Sequence, residues 1–538
     1  MYIKFRQAAV ITSFLGLFIL IIGIVWAQNR IISVSNLEER PFNVGVVGNI
    51  YNISPPLFSS PEEKMIASAM YEGLVCYDEE SQSIRPNLAV NWKYANDGKS
   101  LLLYLKPDVR FHNGKIFTAY DVKKSFENSF INTKEVSDMS MFLSIAGSEE
   151  RLKGKSTEIS GIEVINKYTV RVRFKEPNSA FIFMLTNPVF YIYDLDDKVK
   201  VAPGTGPFMF KEDKDGSIIL VKNEKYHRQE PRISVLNIRW FKDPYSALNE
   251  YKAGKLDYLD KVPLPEIKNL KAGDEYKGLW VEKKLFATYC IGFNLHREPF
   301  MDNYQLRRAV NYAIDRKAII ENVLAGSCIP LKGVVPEGLG SYRSEMWGYT
   351  YDPDKAKKLL AEAGYPEGKG LPPLILSYNL DEGHRMVAES IAQQLGNIGI
   401  QVRMRPLEWG EFKKGLQERD FVFFRLGWYA DYPDADNFLY SMFHSKMIGL
   451  TNYTGYYNPQ VDKLLNAARA EVKSNGERIK LLKRAEEIIT DDAACLFLFQ
   501  NRKFALKGKE VNNLKLDSMG MLNWHEIELL KPIGGEKT

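Results

Sequence analysis

The chain has 538 residues, 45% hydrophobic and 26% charged, a balance far from that of a disordered chain or a polytopic membrane protein. Seventy-two basic and 67 acidic residues leave a net charge of +5, too dilute over this length to argue for a nucleic-acid partner. Scattered glycine and proline exclude collagen-like and low-complexity architectures, and the length suggests roughly three to four domains.

The chain opens with Lys4 and Arg6, followed by an uncharged, mostly apolar run from Ala8 to Ala27. Such a run is long enough to cross a bilayer core of about 30 Å as a helix. Val25 and Ala27 also stand at the −3 and −1 positions of a signal-peptidase site before Gln28. Residues 1–27 therefore read as a signal peptide or an N-terminal membrane anchor, with the basic leader inside and the body outside the membrane. No cysteine ends the run, so a lipid anchor has no attachment point there. The cysteines at 76, 290, 328 and 495 form no CxxC pair. That spacing excludes a zinc ribbon and a thioredoxin motif and leaves disulfides and free thiols both open.

In the body, residues 42–46 alternate as a strand, and the pattern turns helical from Pro61 to Leu74. Ser100 to Leu105 reads as a strand after a turn at Asn96-Asp97-Gly98, and Asn113-Gly114 is a tight turn. Thr118 is placed to cap a helix containing Asp121 to Phe126. Residues 161–165 and 169–174 form a hairpin pattern, and Phe181 to Leu185 is a piece of core. One amphipathic helix is predicted from Gln305 to Leu324, and another from Lys355 to Ala363, closed by Gly364. A helix over 387–395 leads to a strand over 400–404, and a helix over 477–489 to a strand over 495–499. This alternation argues for mixed α/β lobes.

Motifs for catalysis are missing. The six histidines are dispersed, His525-Glu526 lacks the second histidine of a zincin, and no GxSxG elbow exists. A calcium loop starting at Asp434 fails because Phe438 stands where an oxygen ligand is needed. A catalytic reading is disfavoured, and no cofactor or metal is expected.

A series of motifs in fixed order gives a positive signal. They include Met70-Tyr71-Glu72-Gly73-Leu74, Arg110-Phe111-His112-Asn113-Gly114 running to Thr118-Ala119-Tyr120-Asp121-Val122, and Gly204-Thr205-Gly206-Pro207-Phe208. Arg307-Arg308-Ala309-Val310-Asn311-Tyr312-Ala313-Ile314-Asp315-Arg316 and Gly427-Trp428-Tyr429-Ala430-Asp431-Tyr432-Pro433-Asp434 follow. In these motifs the chain resembles the family 5 extracellular solute-binding proteins, receptors of peptide-type ABC importers. The resemblance implies an α/β, two-lobed periplasmic-binding-protein-like (class II) fold with an extra inserted α/β domain and a hinge. One lobe would comprise 38–54, 200–285 and 505–530, the inserted domain 55–199, and the second lobe 286–504. The implied partners are short peptides and an ABC permease in the inner membrane, with the protein itself a monomer. A receptor for haem or a metal chelate on the same scaffold is the alternative.

By motif position, Asp431 matches the family's aspartate for a ligand α-ammonium; a helix-start acid is the plainer role. Trp428 and Tyr429 match aromatic cleft residues, or pack in the core. Arg425 matches a position that pairs with a ligand carboxylate, or forms a structural salt bridge. The resemblance also puts Ile53-Ser54-Pro55 and Gly204 to Phe208 near the cleft. Asp121 and Asp315 are expected to cap helices.

Overall fold

The computed structural model describes residues 40–530, apart from 59, 198, 215, 346 and 347. The apolar leader lies outside these residues. Among the described residues no helix is long and apolar enough to cross a membrane.

The molecule is an α/β protein of two lobes built on one extended sheet. Strands run in the order Val402–Leu407, Leu374–Asn379, Phe423–Tyr429, Trp280–Phe293, Cys495–Lys507, Tyr258–Leu259, Phe42–Val47, Val235–Phe241, Ser217–Lys222 and Phe208–Lys214. The strands Trp280–Phe293 and Cys495–Lys507 are long because each serves both halves of this sheet. Their first pairing, Trp280 with Leu506, lies beside Tyr258–Leu259, and their last, Gly292 with Cys495, lies beside Phe423–Tyr429. Between them the register shifts from Lys284–Arg502 to Thr288–Gln500.

Backbone groups freed by that break must find partners elsewhere. Buried Gln500 serves one of them: its Nε2 donates to the carbonyl of Leu285 (2.9 Å), and the same amide ties in Glu337 from outside the strands, donating to its carbonyl (3.0 Å) and accepting from its N (2.9 Å). Phe286 N donates to Ser518 O and Phe286 O accepts from Ala430 N, both at 2.8 Å. The junction between the lobes is thus irregular yet satisfied.

A separate four-stranded antiparallel sheet, Ala89–Tyr94, Ser100–Leu105, Thr169–Arg173 and Ile162–Asn166, carries its own core of Leu101, Leu103, Phe126, Phe142 and Phe190. The helix Ala119–Asn132 covers it and begins with the expected cap. Asp121 Oδ2 accepts from Thr118 N (2.8 Å) and from its hydroxyl (2.7 Å). Asp315 caps a helix start as well, accepting from Ala318 N.

Three expectations need correction. The helix predicted from Pro61 to Leu74 stops at Ala67. The carbonyls of Ala69 and Met70, which a longer helix would need, accept instead from Phe208 N and Gly206 N at 2.9 Å. A Cβ on Gly204 or Gly206 would stand 2.1 or 2.5 Å from Met70 backbone, so this approach requires glycine at both positions. The helix predicted from Gln305 to Leu324 breaks at Ile314, whose φ of −103° and ψ of 116° are extended. Arg316 takes the Asn311 and Ile314 carbonyls at 3.3 Å and Phe497 O at 2.6 Å, pinning the break. The strand predicted at 400–404 begins at Val402, because Ile400 N still donates to Leu395 O at the preceding helix end. All four cysteines are free thiols.

Replacing Gln500 with Met keeps the volume but removes three hydrogen bonds to part-buried backbone groups of Leu285 and Glu337, each worth about 1 kcal/mol. The expected result is a loss of at least about 2 kcal/mol, measured as a shift of the urea midpoint followed by tryptophan fluorescence.

Candidate functional site

The strand Phe423–Tyr429 pairs antiparallel with Trp280–Phe293 (Thr288 opposite Trp428) and parallel with Leu374–Asn379. Side chains alternate across it. Phe424, Leu426 and Trp428 enter the core beneath, while Arg425, Gly427 and Tyr429 take the opposite face. Trp428 is only 6% exposed, and its Nε1 donates to Asn437 Oδ1 at 2.8 Å, whereas Tyr429 is 47% exposed.

Beyond the strand the chain turns through Ala430 and Asp431 into the helix Ala435–Phe443, whose Asn437 reaches back to organise the turn. Its Oδ1 accepts from Asp431 N at 2.9 Å, and its Nδ2 donates to Asp431 Oδ2 at 3.3 Å. Across a gap, the smaller sheet's layer supplies Ser137, whose hydroxyl donates to Asp431 Oδ1 at 3.3 Å, and Asn187, whose Nδ2 donates to Asp431 O at 2.9 Å. Asp431 is therefore held between two units of the molecule. Burial, reinforced by the Asp138 charge, pushes its carboxyl up to about 6, against the opposing pull of Lys64 and the bonds from Asn437 and Ser137.

Asp431 lines a cavity of about 180 Å³ together with Glu135, Ser137, Trp409, Lys413, Arg425, Gly427, Trp428, Tyr429 and Tyr453. All four site residues expected from the sequence lie on it. Trp428 is a wall set in the core, not an exposed surface. Arg425 stands 5.1 Å over the Tyr289 ring and reaches Asn379 Oδ1 at 3.4 Å; its guanidinium occupies the space that a side chain at Gly427 would take. Tyr289 is in turn within 3.4 Å of His384 Nδ1, and burial with the Arg425 charge pushes that imidazole down to about 4.

Tyr429 also faces a second cavity of about 250 Å³, lined by Glu62, Asp260, Lys261, Phe286, Lys503 and Met519 among others. This one lies against the register break of the long strands. The two cavities flank one tyrosine.

The neighbouring acids Asp434 and Asp436 and the cluster at Asp121 are accounted for by cations of the chain itself. Asp434 is bidentate to Arg478 (2.7 and 2.8 Å), and Asp436 to Arg469 (2.7 and 2.9 Å). Asp121, Asp194 and Asp196 lie within metal-ligating distance of one another, but Lys115 Nζ sits 2.7–2.8 Å from each of them. The Gly204–Phe208 segment is packed on Met70, and Thr205 donates to buried Glu72 at 2.9 Å.

Residues 83–449 match the family model for bacterial extracellular solute-binding proteins, family 5. The chain belongs to this family. Heme-binding protein A of Haemophilus influenzae is 31% identical, over 79% of this chain and 80% of that protein. The dipeptide-binding protein of Escherichia coli is 26% identical, over 90% of this chain and 93% of that one. Among solved structures, an oligopeptide-binding protein of Borrelia burgdorferi superposes with a TM-score of 0.75 at 27% identity, over 91% of this chain and 99% of that one.

Within this family 5 protein, sequence reasoning missed Trp409, Lys413, Glu135, Ser137 and Tyr453. Trp409 opens the helix Trp409–Gln417 and is 56% exposed, which its periodicity does not reveal. Glu135 and Lys413, 278 residues apart, form an ion pair at 2.7 Å across the cavity mouth. No local pattern announces such a pair.

Asn437→Leu removes the acceptor for both Trp428 Nε1 and Asp431 N. The expected loss is about 1–3 kcal/mol, read as a lower thermal midpoint together with a shift in tryptophan emission from Trp428.

Proposed function

We propose that the protein is an exported receptor that captures short peptides with a free N-terminus between its lobes and delivers them to an ABC permease of the cytoplasmic membrane. Residues 1–27 would direct export or anchor the chain. The lobe of 38–54, 200–285 and 505–530 would close against that of 286–504 by bending at the register break, with the domain of 55–199 bringing Glu135 and Ser137 over the ligand.

One observation carries this reading. Of the four charged side chains on the 180 Å³ cavity, Glu135 and Lys413 neutralise each other, while Asp431 and Arg425 form no ion pair among the described residues. A single carboxylate and a single guanidinium are left, one for each end of a zwitterion. A closed, poorly solvated site strengthens both contacts and penalises a ligand that supplies only one. Tyr429, between the two cavities, suits an extended ligand whose side chains point to either side.

The haem-binding relative favours a second reading, a receptor for haem or another metal chelate. Haem presents carboxylates and no ammonium, so it would leave Asp431 facing no cation.

Native mass spectrometry of protein purified from cells separates the two: heterogeneous peptide masses are expected, against one discrete chelate mass. Asp431→Asn should weaken trialanine at least tenfold, about 1.4 kcal/mol, by calorimetry. Acetylating the peptide amine should cost the wild type as much and the variant nothing more. Equal affinity of the two proteins for trialanine would sink the peptide reading.

A further inference from the structure

Asp431 has two features of a carboxylate kept available for an incoming cation. Its side-chain oxygens accept only two hydrogen bonds among the described residues, from Ser137 Oγ and Asn437 Nδ2, both neutral donors at 3.3 Å. A carboxylate can accept about four, so capacity remains. The lysine whose charge acts on Asp431 is engaged elsewhere: Lys64 Nζ, on the helix Pro61–Ala67, donates to Asp138 Oδ1 at 3.3 Å and Oδ2 at 3.5 Å.

Asp138 is 1% exposed and also accepts from Asn187 Nδ2 at 3.3 Å, the same amide that holds Asp431 O at 2.9 Å. Lys64, Asp138, Asn187 and Asp431 therefore form one connected unit. Lys64 feels both carboxylates and bonds only one of them.

We propose that Lys64 is a positioning residue for ligand capture: paired with Asp138, it holds Asp431 ionised by its charge without filling Asp431's oxygens, so that the site accepts one monocationic amine. If Lys64 bonded Asp431 directly, the cavity would already be neutral and would reject a cation. Without Lys64, two neighbouring carboxylates would suppress each other's ionisation. The arrangement separates electrostatic support from occupancy.

The remaining charged or titratable groups around Asp431 do not supply this support. Glu135 and Lys413 neutralise each other at 2.7 Å. Tyr453 is pushed up to about 12 by burial first, then by Asp431, and stays neutral. Arg425 lies on the preceding strand, bound to Asn379 and Tyr289. Lys64 is the cation that opposes the effects of burial and Asp138 on Asp431.

The signs are definite. Asp431 protonates near pH 6, and a peptide α-amine deprotonates near about 8. Capture of the amine should span that window. Removing Lys64 raises the acid limb and narrows the window; removing the Asp138 charge lowers the limb and widens it.

The test has two arms, on the full chain. In ligand-free protein labelled at aspartate carboxyl carbons, with Asp431→Asn identifying the resonance, the Asp431 midpoint should rise by about one pH unit in Lys64→Gln, fall by about one in Asp138→Asn, and stay in place in Lys64→Arg. A midpoint unmoved in Lys64→Gln, or moved the same way by both variants, would overturn the proposal. Should Lys64→Gln fail to fold, Asp138→Asn alone decides the sign.

The second arm, which rests on the peptide reading, takes the ratio of trialanine affinity at pH 7.5 to that at pH 6. This ratio should grow about fourfold in Lys64→Gln and fall towards one in Asp138→Asn; a uniform structural loss would leave it unchanged. Carboxyl shifts as expected with no trialanine binding by any protein would support the role of Lys64 and overturn the peptide reading alone.

Discussion

Two antiparallel strands, Trp280–Phe293 and Cys495–Lys507, carry both halves of the main sheet, and the geometry of the site follows from where their pairing is interrupted. A continuous ladder would make the lobes one rigid slab. The break between Lys284 and Thr288 leaves backbone groups that Gln500, Ser518 and Ala430 satisfy from outside the ladder. These bonds join different segments and leave none of those groups orphaned. Both cavities open beside this seam, and Tyr429, one strand over, is common to them.

Burial of charge is the second organising theme. Two buried Arg–Asp pairs, Arg478–Asp434 and Arg469–Asp436, fix the segment after Asp431, and each is bidentate with its carboxylate fully engaged. An unpaired charge in such surroundings is expensive, and Asp431 and Arg425 are the exceptions on the 180 Å³ cavity. Hydrogen bonds from Asn437, Ser137 and Asn187 hold Asp431 in place without an ion pair to its oxygens. That arrangement is costly for stability, and the proposed capture of a ligand amine would draw on it.

The elements that were legible share one property: their determinants are local. The cap at Thr118 and Asp121, the hairpin over 162–173, and the helix closed by Gly364 depend on neighbours within a few residues. Two of the three failures depend on distant ones. Helix Pro61–Ala67 stops because Gly206 and Phe208, some 140 residues on, take its next carbonyls, and the Tyr304–Ala313 helix ends where Arg316 binds Phe497 O.

The chain by itself determined the α/β class, from the alternation of helix and strand patterns in adjacent residues, and singled out Arg425, Trp428, Tyr429 and Asp431 through the resemblance of their motif. Only the tertiary structure decided that Glu135 faces Lys413, that Lys64 pairs with Asp138 beside Asp431, and that Trp428 is wall and not surface. The two ion pairs join residues 74 and 278 positions apart. Charge compensation acts through space, and sequence order does not encode which distant ions end within a few ångströms of each other.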